Sequence, residues 1–141
     1  MIEIKQAIST QQLMEIFEIR RIVFVIEQQV DPSEEYDEFE ESSTQFIAKY
    51  NNVPAGTCRY RATENGFKLE RFAILQDFRK KGIGAELLKK CLNELQNEDK
   101  KIYLHAQEHA VGFYDKHGFI KEGDLFFEAN IPHYTMVFQK S

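Results

Sequence analysis

Three places in the chain combine residue types that can do chemistry. Between an apolar run, Arg71 to Leu75, and a helical pattern, Ala85 to Leu95, stands Phe78-Arg79-Lys80-Lys81-Gly82-Ile83-Gly84. A strand, a short basic turn with two glycines and then a helix is an arrangement that cradles phosphates. Glycines let the backbone bend and approach a ligand closely, and the first helical N–H groups point outward without intrahelical partners. The helix dipole and the charges of Arg79, Lys80 and Lys81 add positive potential at the same place. The dinucleotide fingerprint GxGxxG would need glycine at position 87, which is Leu87, and no Gly-Lys-Ser/Thr follows as a P-loop requires. An ordinary strand-to-helix turn with solvated lysines would use the same residues.

The second place is Leu104-His105-Ala106-Gln107-Glu108-His109, followed by Phe113-Tyr114 and Gly118-Phe119. His105 to His109 fits H-x-x-E-H, an inverted zinc-protease pattern. That pattern works only with both histidines one turn apart on one helix, and His105 ends the β-like run from Lys101, so the two should diverge; no metal is expected. The third is the acidic stretch Asp31 to Glu41, which offers oxygen ligands but lacks the glycine at the sixth position of a calcium loop. It reads as a solvated acidic surface, with Glu35 and Asp37 the members best suited to attract a cationic acceptor.

The elements that must position these residues follow from periodicity. Ile2 to Ala7 reads as a strand. Ser9 with Gln12 gives a capping box, and Leu13, Ile16, Phe17, Val23 and Phe24 recur at helical spacing, predicting a helix to about Gln28. The acidic stretch is a loop with one helical turn after Pro32. Thr44 to Tyr50 is a strand with a turn at Asn51-Asn52, and Gly56–Thr63 and Phe67–Leu75 form a hairpin across Asn65-Gly66, a pair suited to a type I′ turn. After the basic turn come a helix from Gly84 to about Asn97, a strand from Lys101 to Ala106, and a helix from about His109 to Lys116 ending at Gly118. The last strands, Phe119–Glu122 and His133–Gln139, are joined by an irregular stretch. This order predicts an α/β sheet with helices on both faces and a single domain over 1–141.

With 141 residues, 43% hydrophobic and 29% charged, the chain has the composition of an ordinary globular protein. The net charge of −5 argues against a general nucleic-acid binder and makes the positive turn a local feature. The start, Met1 to Lys5, lacks the basic end and apolar centre of a signal peptide, and no run approaches transmembrane length, so a cytoplasmic location without membrane partners is expected. Cys58 and Cys91 fall in a predicted strand and a predicted helix, which does not suggest a disulfide framework.

Arg79-x-x-Gly82-x-Gly84 resembles the coenzyme A-binding motif of the GNAT superfamily, the acetyl-CoA-dependent N-acetyltransferases. Ala110, Phe113-Tyr114, Lys116 and Gly118-Phe119 resemble the family's other signature, in which a helix carries Phe-Tyr before a Gly-Phe strand start. Both motifs fall in the family's order, and the resemblance covers the whole chain. Arg21 to Gln28 and Ile131-Pro132-His133-Tyr134-Thr135-Met136 look like the ElaA/YjcF-type branch, whose acceptors are poorly defined.

The resemblance implies a GNAT fold: a mixed, mainly antiparallel central sheet of about seven strands flanked by about four helices. It implies acetyl transfer from acetyl-CoA directly to a primary amine. Phe72-Ala73-Ile74 would offer backbone groups to the pantetheine arm, and a backbone N–H near Ala73 or Ile74 would polarise the thioester carbonyl. The pyrophosphate would lie on Arg79, Lys80, Lys81, Gly82, Ile83 and Gly84. Gln107 stands where members often have Asn, and its longer amide would still reach the pantetheine. Tyr114 matches the tyrosine that faces the CoA sulfur and is the candidate general acid; a phenol near pKa ~10 holds its proton at neutral pH. Glu70, placed by strand alternation on the face of Phe72 and opposite Arg71, is the candidate base, directly or through a water. Dimerisation is common in that fold, which leaves a homodimer open. Two other readings share these residues: an acyl-homoserine-lactone synthase-like enzyme, and a CoA-binding or sensing protein without catalysis.

Overall fold

Strands and helices follow one another in the order read from periodicity, in a computed structural model that describes residues 1–140. They are β1 (Ile2–Gln6), α1 (Thr10–Arg20) continued by a π-helical stretch (Arg21–Glu27), α2 (Pro32–Glu35), β2 (Thr44–Tyr50), β3 (Val53–Thr63) and β4 (Gly66–Ile74). A 3₁₀ turn (Gln76–Phe78) leads to α3 (Ile83–Glu94) and β5 (Ile102–Gln107); a second one (Glu108–Ala110) leads to α4 (Val111–Asp115), then β6 (Phe119–Glu128) and β7 (Ile131–Phe138). The seven strands run in the order β1-β2-β3-β4-β5-β7-β6. β4 and β5 pair in parallel, while β1–β2, β2–β3, β5–β7 and β6–β7 are antiparallel. The mixed, mainly antiparallel sheet with four α-helices is the expected fold class.

The chain forms two compact units. The first is Met1–Arg61 with Arg71–Glu98; the second is Ala62–Glu70 with the described residues from Asp99 onward. In the first unit Ser9 caps α1 as predicted: its Oγ accepts from Gln12 N at 3.1 Å, and Gln12 Oε1 accepts from Ser9 N at 3.1 Å. The helix then widens, with Gln28 N donating to Val23 O at 3.2 Å, a step of i→i+5. Ile19, Val23, Phe24 and Ala73 cluster with Val30 and Leu75 beside them. The apolar stripe of α3, Leu87, Leu88 and Cys91, is fully buried. The Cys58 and Cys91 sulfurs are 3.6 Å apart as free thiols, well beyond the ~2.05 Å of a disulfide.

Several strand boundaries differ from expectation. β3 starts at Val53 rather than Gly56 and carries Pro54 inside it. Proline lacks an N–H, and the register shift between Ala48 and Lys49 on β2 accommodates it. The β3–β4 hairpin turns at Glu64-Asn65, not Asn65-Gly66, and Asn65 does not adopt the positive φ that a type I′ turn needs. Gly66, at φ +137, already belongs to β4, where any Cβ would strike the Lys101 carbonyl. β6 continues to Glu128 and meets β7 at a turn through Ala129 and Asn130, with φ +51 and +62. Beyond a register break between Glu122 and Phe126, the outer residues Phe126, Phe127 and Glu128 pair with His133, Pro132 and Ile131 of β7.

Candidate active site

In the first unit the basic turn leads from the 3₁₀ turn into α3. Lys80 and Gly82 both take left-handed conformations, φ +65 and +83, and Gly82 is the N-cap of α3 without any side-chain cap. The space around Gly82 is open, so it is the left-handed φ that calls for glycine. Alternating left-handed residues before an uncapped helix start turn successive N–H groups toward one concavity, the geometry of an anion nest. Lys81 Nζ lies 5.2 Å from the Tyr50 ring centroid.

Arg79 is committed differently from its lysine neighbours. Its Nε donates to the Ile74 carbonyl at 2.8 Å, and Nη2 reaches both Glu27 oxygens at 2.9 and 3.0 Å. The arginine thus pins the end of β4 and the π-helical stretch to the turn. Phe72 and Ile74 are half-buried and Ala73 is buried. Gly56 lets β3 approach them: a Cβ there would come within 2.7 Å of Ile74 Cδ1 and 3.2 Å of the Ala73 carbonyl.

Arg71, at the head of this segment, has φ +59. A left-handed residue inside a strand breaks alternation, so the face assigned to Glu70 relative to Arg71 and Phe72 does not follow from spacing. The paired register of β4 with β5 runs from Phe67 to Leu69, ending two residues before Arg71.

The acidic stretch is a solvated surface only in part: Asp31, Glu34, Glu38 and Glu41 are exposed, whereas Glu35, Asp37 and Glu40 are drawn under it onto arginines. Arg20 and Arg59 are fully buried, and Glu35 is nearly so. Arg20 meets Glu35 at 2.9 Å and Glu40 at 2.7 Å, while Arg59 meets Asp37 at 2.7 Å and Glu40 at 3.0 Å. Arg71 bridges Glu35 at 3.1 Å and Asp37 at 3.2 Å. Burial opposes ionisation of Asp37, but the hydrogen bonds and charge of Arg59 prevail and hold it down at about 2; burial pushes Glu35 up against the pull of Arg20 and Arg71. Glu35 and Asp37 are therefore spent on arginines of their own chain. The expectation that they attract an acceptor is corrected, because composition showed the acids but not the three arginines folded under them.

In the second unit Tyr114 is buried on α4, with Phe113 edge-on at 5.1 Å and Phe119 at 5.9 Å between ring centroids. Gln107 ends β5, and its Oε1 lies 2.7 Å from His109 Nε2. Glu70 is 3.4 Å from Lys68 Nζ. His105 and His109 diverge as predicted: His105 is on β5 with Nδ1 2.9 Å from Glu128 Oε2, a partner the sequence did not nominate. His133 is buried on β7, its Nδ1 2.7 Å from the Ile131 carbonyl. Among the described residues no group of three or more His, Cys, Asp or Glu could hold a metal ion, and no helix is long and apolar enough to cross a membrane.

A family model described as "Acetyltransferase (GNAT) domain" matches residues 5–140. The chain belongs to the GNAT acetyltransferase family. It is 35% identical over 129 residues to the uncharacterized N-acetyltransferase YjcF of Bacillus subtilis, covering 90% of this chain and 92% of YjcF. The crystal structure of Escherichia coli ElaA superposes with a TM-score of 0.83 at 25% identity, covering 99% of this chain and all of ElaA. PaiA N-acetyltransferase from Thermoplasma acidophilum, solved in complex with coenzyme A, shares the fold with a TM-score of 0.77 at 16% identity, covering 99% of both chains. The chain is an acyltransferase of the ElaA/YjcF-like branch, and its family chemistry is acyl-CoA-dependent acetyl transfer.

Proposed function

We propose that the protein transfers the acetyl group of acetyl-CoA to a primary amine, as one GNAT domain spanning both units. The observation that carries the reading is the turn at Lys80 to Gly84: two left-handed residues before an uncapped helix, with lysines at hand for the pyrophosphate. Backbone groups of Phe72, Ala73 and Ile74 and the amide of Gln107 serve the pantetheine arm. A backbone N–H near Ala73 or Ile74 polarises the thioester, worth roughly 3 kcal/mol in comparable oxyanion holes. Tyr114 gives its phenolic proton to the departing thiolate. Removal of the acceptor's proton falls to the polar face of β4 and β5, of which Glu70 is the member nominated by sequence. A cytoplasmic location, the absence of nucleic-acid and membrane partners and a homodimer belong to the same reading.

The test is a panel of primary amines with acetyl-CoA, products identified by mass spectrometry, together with CoA titrations. Acetylated amine and a CoA Kd raised about tenfold, ~1.4 kcal/mol, by Lys80→Glu or Lys81→Glu are expected. Tight CoA binding with no turnover of any amine would turn the assignment to a CoA sensor. Unchanged CoA affinity in both charge reversals would remove the turn from the binding site.

A further inference from the structure

Several side chains of the second unit meet on one face of its strands. Tyr103, His105 and Gln107 alternate onto the same side of β5. Phe126 and Glu128 from β6 and His133 from β7 join them there. His105 stands edge-on to Phe126 with centroids 5.0 Å apart, and Phe126 stacks on His133 at 5.9 Å. The Tyr103 ring lies 6.1 Å from that of His105. The imidazole is thus fixed by aromatic neighbours and by Glu128, yet its side chain keeps 25% exposure.

The hydrogen-bond chemistry fixes the tautomer. Glu128 is held ionised, down at about 2, chiefly by its hydrogen bond to His105; desolvation opposes this, and the charges of Lys68 and His133 assist. An ionised carboxylate only accepts, so Nδ1 carries the proton and the lone pair sits on Nε2. Among the described residues Nε2 has no hydrogen-bond partner. This is the arrangement in which a carboxylate orients a histidine base.

The charged and titratable groups around the pair are Lys68 and Glu70 on β4, Tyr103 on β5 and His133 on β7. Counting the carboxylates and the ammonium alone, Glu70 and Glu128 against Lys68 leave one negative charge on this face. That charge favours an approaching alkyl ammonium, the form a primary amine takes below its pKa of ~10.

We propose that His105 is the base that deprotonates the acceptor ammonium, with Glu128 as its positioning residue; this rests on the amine-acetylation reading. An N–H proton of the ammonium passes to Nε2. The freed lone pair forms the C–N bond to the acetyl carbon as the C–S bond breaks. The thiolate takes its proton from Tyr114, which recovers one from solvent, and the second amine proton also goes to solvent. The imidazolium then releases its own proton, so one proton is liberated per turnover. Glu70 keeps Lys68 in place and contributes charge.

The test uses spermidine and phenethylamine as probes, with kcat/KM followed against pH for the wild type and for His105→Gln, Glu128→Gln and Glu70→Gln. Wild-type kcat/KM should rise with pH along a limb set by the base. His105→Gln should lose that limb and fall about 10²-fold with CoA Kd unchanged. Glu128→Gln should lose about tenfold and move the limb to lower pH, since the imidazolium loses its counter-charge. Added imidazole should restore rate to His105→Ala, separating a lost base from lost packing. A limb retained in His105→Gln, or one lost in Glu70→Gln instead, overturns the proposal while leaving acetyl transfer standing. If the wild type acetylates neither probe nor any panel amine, the transfer reading fails and takes this one with it.

Discussion

Tyr114 shows what a single residue's surroundings add to a motif. Its ring is packed edge-on by Phe113 and Phe119, so the aromatic body is structural whatever the hydroxyl does. Tyr114→Phe keeps that packing and deletes only the hydroxyl. We expect kcat to fall about 10²-fold with CoA affinity and melting temperature nearly unchanged, checked by steady-state kinetics, calorimetric titration and thermal denaturation. A loss of CoA binding or of fold in that variant would mean that the hydroxyl holds structure instead. The residue and its motif were legible in the chain because Phe-Tyr before Gly-Phe is a local pattern. Arg79 was legible in the same way as a cation in a glycine turn. Its bidentate partner Glu27 lies 52 positions away and carries no local signal.

At the level of elements α1, α2, β3 and the left-handed residue of β4 are tied by one buried charge network. Arg20 comes from the end of α1, Glu35 from α2, Arg59 from β3 and Arg71 from β4, with Asp37 and Glu40 from the connecting loop. Removing one member strands a charge out of water. Arg59→Ala is expected to cost about 3–5 kcal/mol, read from urea denaturation midpoints, whereas Lys89→Ala on the exposed face of α3 should cost under about 0.5 kcal/mol. The sequence yielded the elements themselves well: the capped α1, the turn after Pro32, the β2 strand and the glycine-led α3 all follow local rules. It missed the outer half of β6 and the extended start of β3. An edge segment and a proline-bearing one become strands only through the neighbour that pairs with them.

For the whole molecule, acid is the condition that tests the charge pattern. Asp37 and Glu128 are both held at about 2, below the ordinary carboxylate range of ~4. A folded-state pKa below the unfolded one adds stability that is complete above the unfolded value and lost as pH falls through the folded one. Glu35, pushed up by burial, acts with the opposite sign and offsets part of the loss. Thermal midpoints should therefore be flat near neutrality and drop between about pH 4 and pH 2, and Asp37→Asn should flatten that drop. A midpoint unchanged at pH 3 would contradict the assigned network. What the amino-acid order alone determined was the class of fold and the family, and it nominated the basic turn and Tyr114: each rests on contiguous residues whose propensities and spacing act locally. Only tertiary structure decided where the acidic stretch goes, which residue breaks β4 and which carboxylate stands behind His105. Those depend on partners brought together from distant parts of the chain, and spacing along a chain does not encode them.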